Sequence, residues 1–151
     1  MTGGTLTCLF GRVIELAQQN PRITVVNDNP EFLELMHELL EESSGYDVTT
    51  IDGDTITDIE PIRASRPELL IIDLRWRRDG LAGWDILMAL RAEAELGELP
   101  IILCTGDLQT LDEHAEEIER DPKVRVLQKP FQVADLEGLV RGFVGNAVPS
   151  R

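Results

Sequence analysis

Short apolar runs alternate with helical spacings along most of this chain. Ile23-Thr24-Val25-Val26 predicts a first strand, and Asn29-Pro30 then offers an N-cap followed by a good first helical residue. The next helix is expected to bury Phe32, Leu35, Met36, Leu39 and Leu40, spaced as one helical face, until Ser43-Ser44-Gly45 stops it. Tyr46-Asp47-Val48-Thr49-Thr50-Ile51 alternates polar and apolar residues, as a partly exposed edge strand does. A weaker helix after Asp52-Gly53-Asp54 is expected to turn Ile56, Ile59 and Ile62 inward, with Pro61 late enough to shorten or kink it. Leu69-Leu70-Ile71-Ile72, bounded by Arg66-Pro67 and by Asp73, is apolar throughout and predicts a strand buried on both faces.

The loop from Leu74 to Gly83 leads into a helix carrying Ile86, Leu87, Leu90 and Ala94, closed by Gly97. Leu99-Pro100-Ile101-Ile102-Leu103-Cys104 is a second doubly buried strand, ending in Thr105-Gly106-Asp107. A helix with Leu108, Leu111, Ala115 and Ile118 inward follows. Val124-Arg125-Val126-Leu127 alternates like an edge strand and ends at Gln128-Lys129-Pro130-Phe131. The last helix carries Val133, Leu136, Leu139, Val140 and Phe143.

Five strands alternating with five helices predict an α/β fold, a doubly wound five-stranded parallel sheet. The two continuous apolar strands belong at the centre and the alternating ones at the edges. The order 2-1-3-4-5 satisfies this, with right-handed crossovers placing helices on both faces. The domain spans 22–144, and 145–151 is a frayed tail. Residues 1–21 form an N-terminal extension in which Leu6, Leu9, Phe10, Val13, Ile14 and Ala17 follow helical spacing. Three uses of it stay open: packing on the domain, mediating a homodimer, or arising from a misplaced start codon.

Charge narrows the function. The formal net charge is −14, with 28 Asp and Glu against 14 Lys and Arg, so the chain repels phosphate backbones and direct nucleic-acid binding is not expected. The two cysteines, Cys8 and Cys104, offer neither a disulfide framework nor metal-ligand spacing and fit a reducing cytoplasm. Apolar runs are far too short to span a membrane, and the start lacks the basic region of a signal peptide.

In a parallel sheet every strand presents its C-terminal end on the same rim, where ligands bind. The first strand delivers Asn27 and Asp28 there, the third Asp73, the fourth Thr105 and the fifth Lys129. Two carboxylates with a neutral amide suit Mg²⁺, which takes oxygen ligands and keeps several waters. A hydroxyl and an ammonium suit the oxygens of a phosphoryl group. Singly, each residue has a plainer use: Asp73 and Asp28 as turn residues, Thr105 as a cap, Lys129 as a solvated charge. Their joint occurrence at the same strand ends points to phosphoryl chemistry.

Val25-Val26-Asn27-Asp28, Leu70-Ile71-Ile72-Asp73, Gly83-Trp84-Asp85-Ile86-Leu87, Pro100-Ile101-Ile102-Leu103-Cys104-Thr105-Gly106 and Lys129-Pro130-Phe131 carry a family resemblance. Over roughly residues 22–144 the chain resembles the receiver domain of two-component response regulators, a flavodoxin-like fold. The resemblance implies Asp73 as phosphoacceptor, with Thr105 and Lys129 bonding the phosphoryl group and the backbone amides of Leu74 and Gly106 completing its cradle. It implies Mg²⁺ held by Asp28, Asp73 and the backbone carbonyl of Arg75, with Asn27 contributing through a water, and a cis Lys129–Pro130 bond. The donor is expected to be a phosphohistidine on a sensor histidine kinase or phosphotransfer protein. The chain is then a signalling domain that catalyses its own phosphoryl transfer rather than an enzyme.

Three features depart from the family pattern. Asn27 replaces one carboxylate of the acidic pair, Val126 stands where many receivers carry a switching aromatic, and the loop after Asp73 is longer and carries Arg75, Arg77 and Arg78. Arg75 reads either as an overhang on the phosphoryl group or as a solvated charge. Asn27 and Val126 support an alternative, a degenerate receiver that binds partners without phosphorylation. An aspartate-nucleophile phosphatase needs a carboxylate where Arg75 stands, which argues against it. With no DNA-binding or enzymatic output segment visible, output is expected by contact with a further protein, through the face of the fourth helix, fifth strand and fifth helix. His37 reads as a solvated histidine, and Trp76 and Trp84 as packing residues.

Overall fold

The computed structural model describes residues 20–75 and 83–147. The helix expected in 1–21, and Trp76, Arg77 and Arg78, lie outside the described residues. Five strands, β1 (Arg22–Asn27), β2 (Asp47–Asp52), β3 (Leu69–Ile72), β4 (Ile101–Thr105) and β5 (Val124–Gln128), form one parallel sheet in the order β2-β1-β3-β4-β5. The composition of each strand explains its place. β3 and β4 are buried at every position, whereas β2 and β5 expose several of theirs, as edges do. The expected alternation is absent, since Val48 and Leu127 pack on one face of the sheet and Ile51, Val124 and Val126 on the other.

Helices cover both faces. On one, α1 (Pro30–His37) and α6 (Val133–Val144) pack on Ile23, Val25, Leu69, Ile71, Ile102 and Cys104. On the other, α2 (Glu60–Ser65) and α3 (Gly83–Arg91) cover Val26, Leu70, Ile72, Ile101 and Leu103. The remaining helices, α4 (Leu108–Glu113) and α5 (Ala115–Arg120), contribute half-buried Leu111 and Ile118 to that second face.

Several expected details differ. Asn29 caps α1 as anticipated, accepting the N–H groups of Glu31 and Phe32, and Pro30 opens the helix. Its buried face, however, uses Leu33 with Met36 and Leu40, while Leu35 is exposed. The apolar arc is wide enough that spacing alone does not decide which edge turns inward, and the last turn widens to a π-helix over Glu38–Glu42. Pro61 lies in the first turn of α2 and does not shorten its end. The chain first makes a 3₁₀ turn, Gly53–Thr55, capped by Asp52, and Pro61 then occupies a position that needs no N–H partner.

α3 ends at Arg91, so Ala94 falls beyond it and is exposed. Glu93, Glu95 and Glu98 crowd where the negative end of a longer helix dipole would stand. The single helix expected from Leu108 to Ile118 is two short ones broken at His114, with Leu108 exposed and no side chain of either fully buried. Val133, expected inward, is exposed in the first turn of α6. The tail is tied at its start, because the Tyr46 hydroxyl donates to the Gly145 carbonyl at 2.6 Å.

Candidate phosphoryl site at the strand ends

Sheet register assembles the rim. β1 pairs Val26 with Ile72 of β3, so Asn27 and Asp73, each one residue further on, leave the sheet side by side. β4 pairs Thr105 with Gln128 of β5, which sets Lys129 just past Thr105. Parallel pairing therefore brings residues from four distant stretches to one end of the sheet.

Asp73 is the centre of the group. Its Oδ2 accepts from Lys129 Nζ at 2.9 Å, and its Oδ1 accepts the Arg75 N–H at 3.2 Å. Lys129 is anchored in turn by its own N–H, which donates to the Thr105 carbonyl at 2.9 Å. The Lys129–Pro130 peptide is cis, as the resemblance implied. Thr105 is buried, and its Oγ1 accepts the Asp107 N–H at 3.1 Å. A hydroxyl both accepts and donates, so its proton is still available to an oxygen on the rim.

Asn27 is buried, and its carboxamide oxygen accepts the Asn29 N–H at 2.9 Å. Asp28 follows it, half-buried. Leu74 turns its side chain into the core, leaving its backbone to the rim, and Gly106 is exposed beside Lys129. The Arg75 guanidinium is 73% exposed and pairs with Asp107, Nη1 to Oδ2 at 3.4 Å. Asp107 is the N-cap of α4. Hydrogen bonds from the Thr110 hydroxyl and N–H hold its carboxyl below the usual range against the effect of desolvation, with the Arg75 charge adding to them. Burial pushes the Cys104 thiol up to about 12, so it is no nucleophile at neutral pH.

Two members of the site went unassigned in the sequence. A Cβ on Gly83 would stand 1.7 Å from the Asp73 carbonyl oxygen and 2.9 Å from Leu74 Cα, so only glycine lets α3 start this close to Asp73. A glycine opening a helix, where it weakens propensity, was the available signal. Phe32 places its ring centroid 4.4 Å from Lys129 Nζ. Its spacing marked it only as a core residue.

Among the described residues no cluster of three or more His, Cys, Asp and Glu side chains forms a metal site. The rim offers two carboxylates with carbonyl oxygens nearby. That set fits a hard divalent ion that keeps part of its water shell, and fits it less strongly than three carboxylates would.

A carboxylate met by a lysine at the carboxyl end of a central strand, in a 2-1-3-4-5 sheet, places the chain among flavodoxin-like domains with their chemistry at the strand ends. The family model of the response regulator receiver domain matches residues 23–141, and the chain belongs to that family. It is 31% identical over 137 residues to the phosphate regulon transcriptional regulatory protein PhoB of Rhizobium meliloti, covering 85% of this chain and 54% of that protein. It is 33% identical over 91 residues to the DNA-binding response regulator MtrA of Mycolicibacterium smegmatis, covering 60% and 37%. The chain thus spans about half, or less, of the length of these relatives. Among solved structures, the receiver domain of a sensor histidine kinase from Pseudomonas aeruginosa, with a magnesium ion coordinated in its active site cleft, is similar. It matches with a TM-score of 0.64 and 26% identity, covering 84% of this chain and 99% of that one. The protein is therefore a two-component signalling domain. No helix among the described residues is long and apolar enough to cross a membrane.

Proposed function

We propose that this receiver takes a phosphoryl group onto Asp73 from a phosphohistidine on a sensor histidine kinase or phosphotransfer protein, with Mg²⁺, and reports its state by protein contact. The observation that carries the reading is the 2.9 Å contact between Asp73 and Lys129 at the end of a strand buried at every position. A carboxylate oxygen of Asp73 forms the new bond to phosphorus while the phosphorus–nitrogen bond to the donor breaks, its electron pair leaving on the imidazole. Such a loose transition state needs alignment and charge neutralisation more than a strong nucleophile. The backbone fixed by β3 supplies alignment, and the Lys129 ammonium and Thr105 hydroxyl face the developing charge. Bound Mg²⁺ would neutralise further charge, held by Asp28, Asp73 and the Arg75 carbonyl, with Asn27 reached through a water.

The test is acetyl phosphate with Mg²⁺, read by intact mass, where one added phosphoryl group is expected. If neither acetyl phosphate nor a panel of kinases from the source strain labels the chain, the phosphorylation-independent module supported by Asn27 and Val126 takes its place. A groove lined by Val126, Phe131 and Leu139 between β5 and α6 would offer either reading a docking surface.

Two consequences are separately measurable. Mg²⁺ titration should shift the amide resonances around Asp73 and alter the emission of Trp84, which lies next to Gly83. Asn27→Asp should tighten that binding several-fold, since the added charge favours the metal and a carboxylate can still accept the Asn29 N–H. Unchanged resonances at saturating Mg²⁺ would remove the metal from the mechanism. Arg75→Ala is expected to shorten the lifetime of the acyl phosphate. An exposed pair with Asp107 contributes little, so the guanidinium can exchange it for the more highly charged phosphoryl group and shield that group from water. An unchanged or longer lifetime would leave Arg75 as a surface charge.

A further inference from the structure

We propose that Phe32 is a positioning residue for the chemistry at Asp73, holding the Lys129 ammonium beside the acceptor with the face of its ring; this rests on the reading of Asp73 as phosphoacceptor. A lysine side chain is long and loses much rotamer freedom when fixed. The Lys129 side chain is 29% exposed, so burial alone does not hold its end in place. Among the described residues its ammonium meets Asp73 Oδ2 at 2.9 Å and the Phe32 ring centroid at 4.4 Å. The first changes when Asp73 gains a phosphoryl group. The second does not depend on the state of Asp73.

A π face attracts a cation without adding formal charge. The ammonium thus keeps its whole charge for the incoming phosphoryl oxygens, which a carboxylate at the same place would compete for. The ring also occupies one side of the ammonium that water would otherwise fill, strengthening the remaining electrostatic contacts.

Two supports fix the ring itself. Phe32 lies in the first turn of α1, where its N–H and that of Glu31 are capped by Asn29 Oδ1. Phe131, two residues after Lys129, meets it edge to face at 6.4 Å and 85°. The β1–α1 connection, which carries Asp28, and the β5–α6 connection, which carries Lys129, are therefore joined through this ring.

Phe32→Leu keeps the apolar packing and removes the π face, whereas Phe32→Tyr keeps both. With wild type and variants confirmed as folded by circular dichroism, the initial rate of labelling by acetyl phosphate and Mg²⁺ is measured by intact mass. The leucine variant is expected to be slower by about two- to tenfold, as loss of one cation–π contact implies, and the tyrosine variant close to wild type. In a Lys129→Ala background, Phe32→Leu should have no further effect. The ε-methylene protons of Lys129 should lose their ring-current shift in the leucine variant and retain it in the tyrosine one. A leucine variant labelled at the wild-type rate, or slowed equally without Lys129, overturns the role of Phe32 while leaving Asp73 as acceptor. A wild type that takes no label overturns the acceptor reading, and the role of Phe32 with it.

Discussion

Asp73→Asn is expected to take no phosphoryl group from acetyl phosphate and to keep the fold. Asparagine is nearly isosteric, and its carbonyl oxygen can still accept the Arg75 N–H that now goes to Asp73 Oδ1. The variant loses the attraction to Lys129, which lies in a partly exposed pair and contributes on the order of 1 kcal/mol or less. The expected loss of labelling is complete because the neighbouring nucleophiles are poorly placed to substitute. The Cys104 thiol is buried and pushed up to about 12, and the Asp107 carboxylate is already engaged by Thr110. Intact mass reads the label, and far-ultraviolet circular dichroism with thermal melting reads the fold. A variant labelled as fully as wild type would move the acceptor elsewhere.

Gly83→Ala is the second large effect, and its sign runs against helix propensity. In an exposed helix interior the change from glycine to alanine stabilises by about 1 kcal/mol. Here the new Cβ would meet the Asp73 carbonyl oxygen at 1.7 Å, and the atoms it meets are backbone, which cannot swing aside as a side-chain tip does. Either α3 or the end of β3 must move, and overpacking of this kind costs about 1–3 kcal/mol or more. The expected outcome is a lower melting temperature together with slower labelling at Asp73, because the Asp73 peptide itself is displaced. Wild-type stability with a wild-type labelling rate would show that the two segments separate without consequence.

The sheet was legible because its strands differ in kind. Uninterrupted apolar residues at Leu69–Ile72 and Ile101–Cys104 demand cover on both faces, and the polar residues interspersed in Asp47–Asp52 and Val124–Gln128 mark strands left partly exposed. Strand order and the rim followed from that difference, and the pairing of Lys129 with Asp73 followed from the rim. Helix details were less legible where tertiary contacts decide between equivalent apolar residues. Leu33 and Leu35 flank the same arc of α1, and the ring contact between Phe32 and Phe131 is made with a residue about a hundred positions away. The break at His114 had no local glycine or proline to announce it; there the Trp84 ring stacks on the imidazole at 3.9 Å. The role of Gly83 is invisible locally for the same reason, since its constraint comes from a carbonyl ten positions earlier.

The split pair α4 and α5 also sets how the domain shares out its resistance to opening. Neither helix buries a side chain completely, whereas β3 and β4 bury every one of theirs. Opening of α4 and α5 therefore breaks backbone bonds and a few partial contacts while leaving both apolar layers intact. Their amides should exchange with solvent hydrogen long before those of Leu70–Ile72, which are released only when the whole sheet comes apart. A partner that reshapes these helices on docking works against that small local opening energy and leaves β3 in its place.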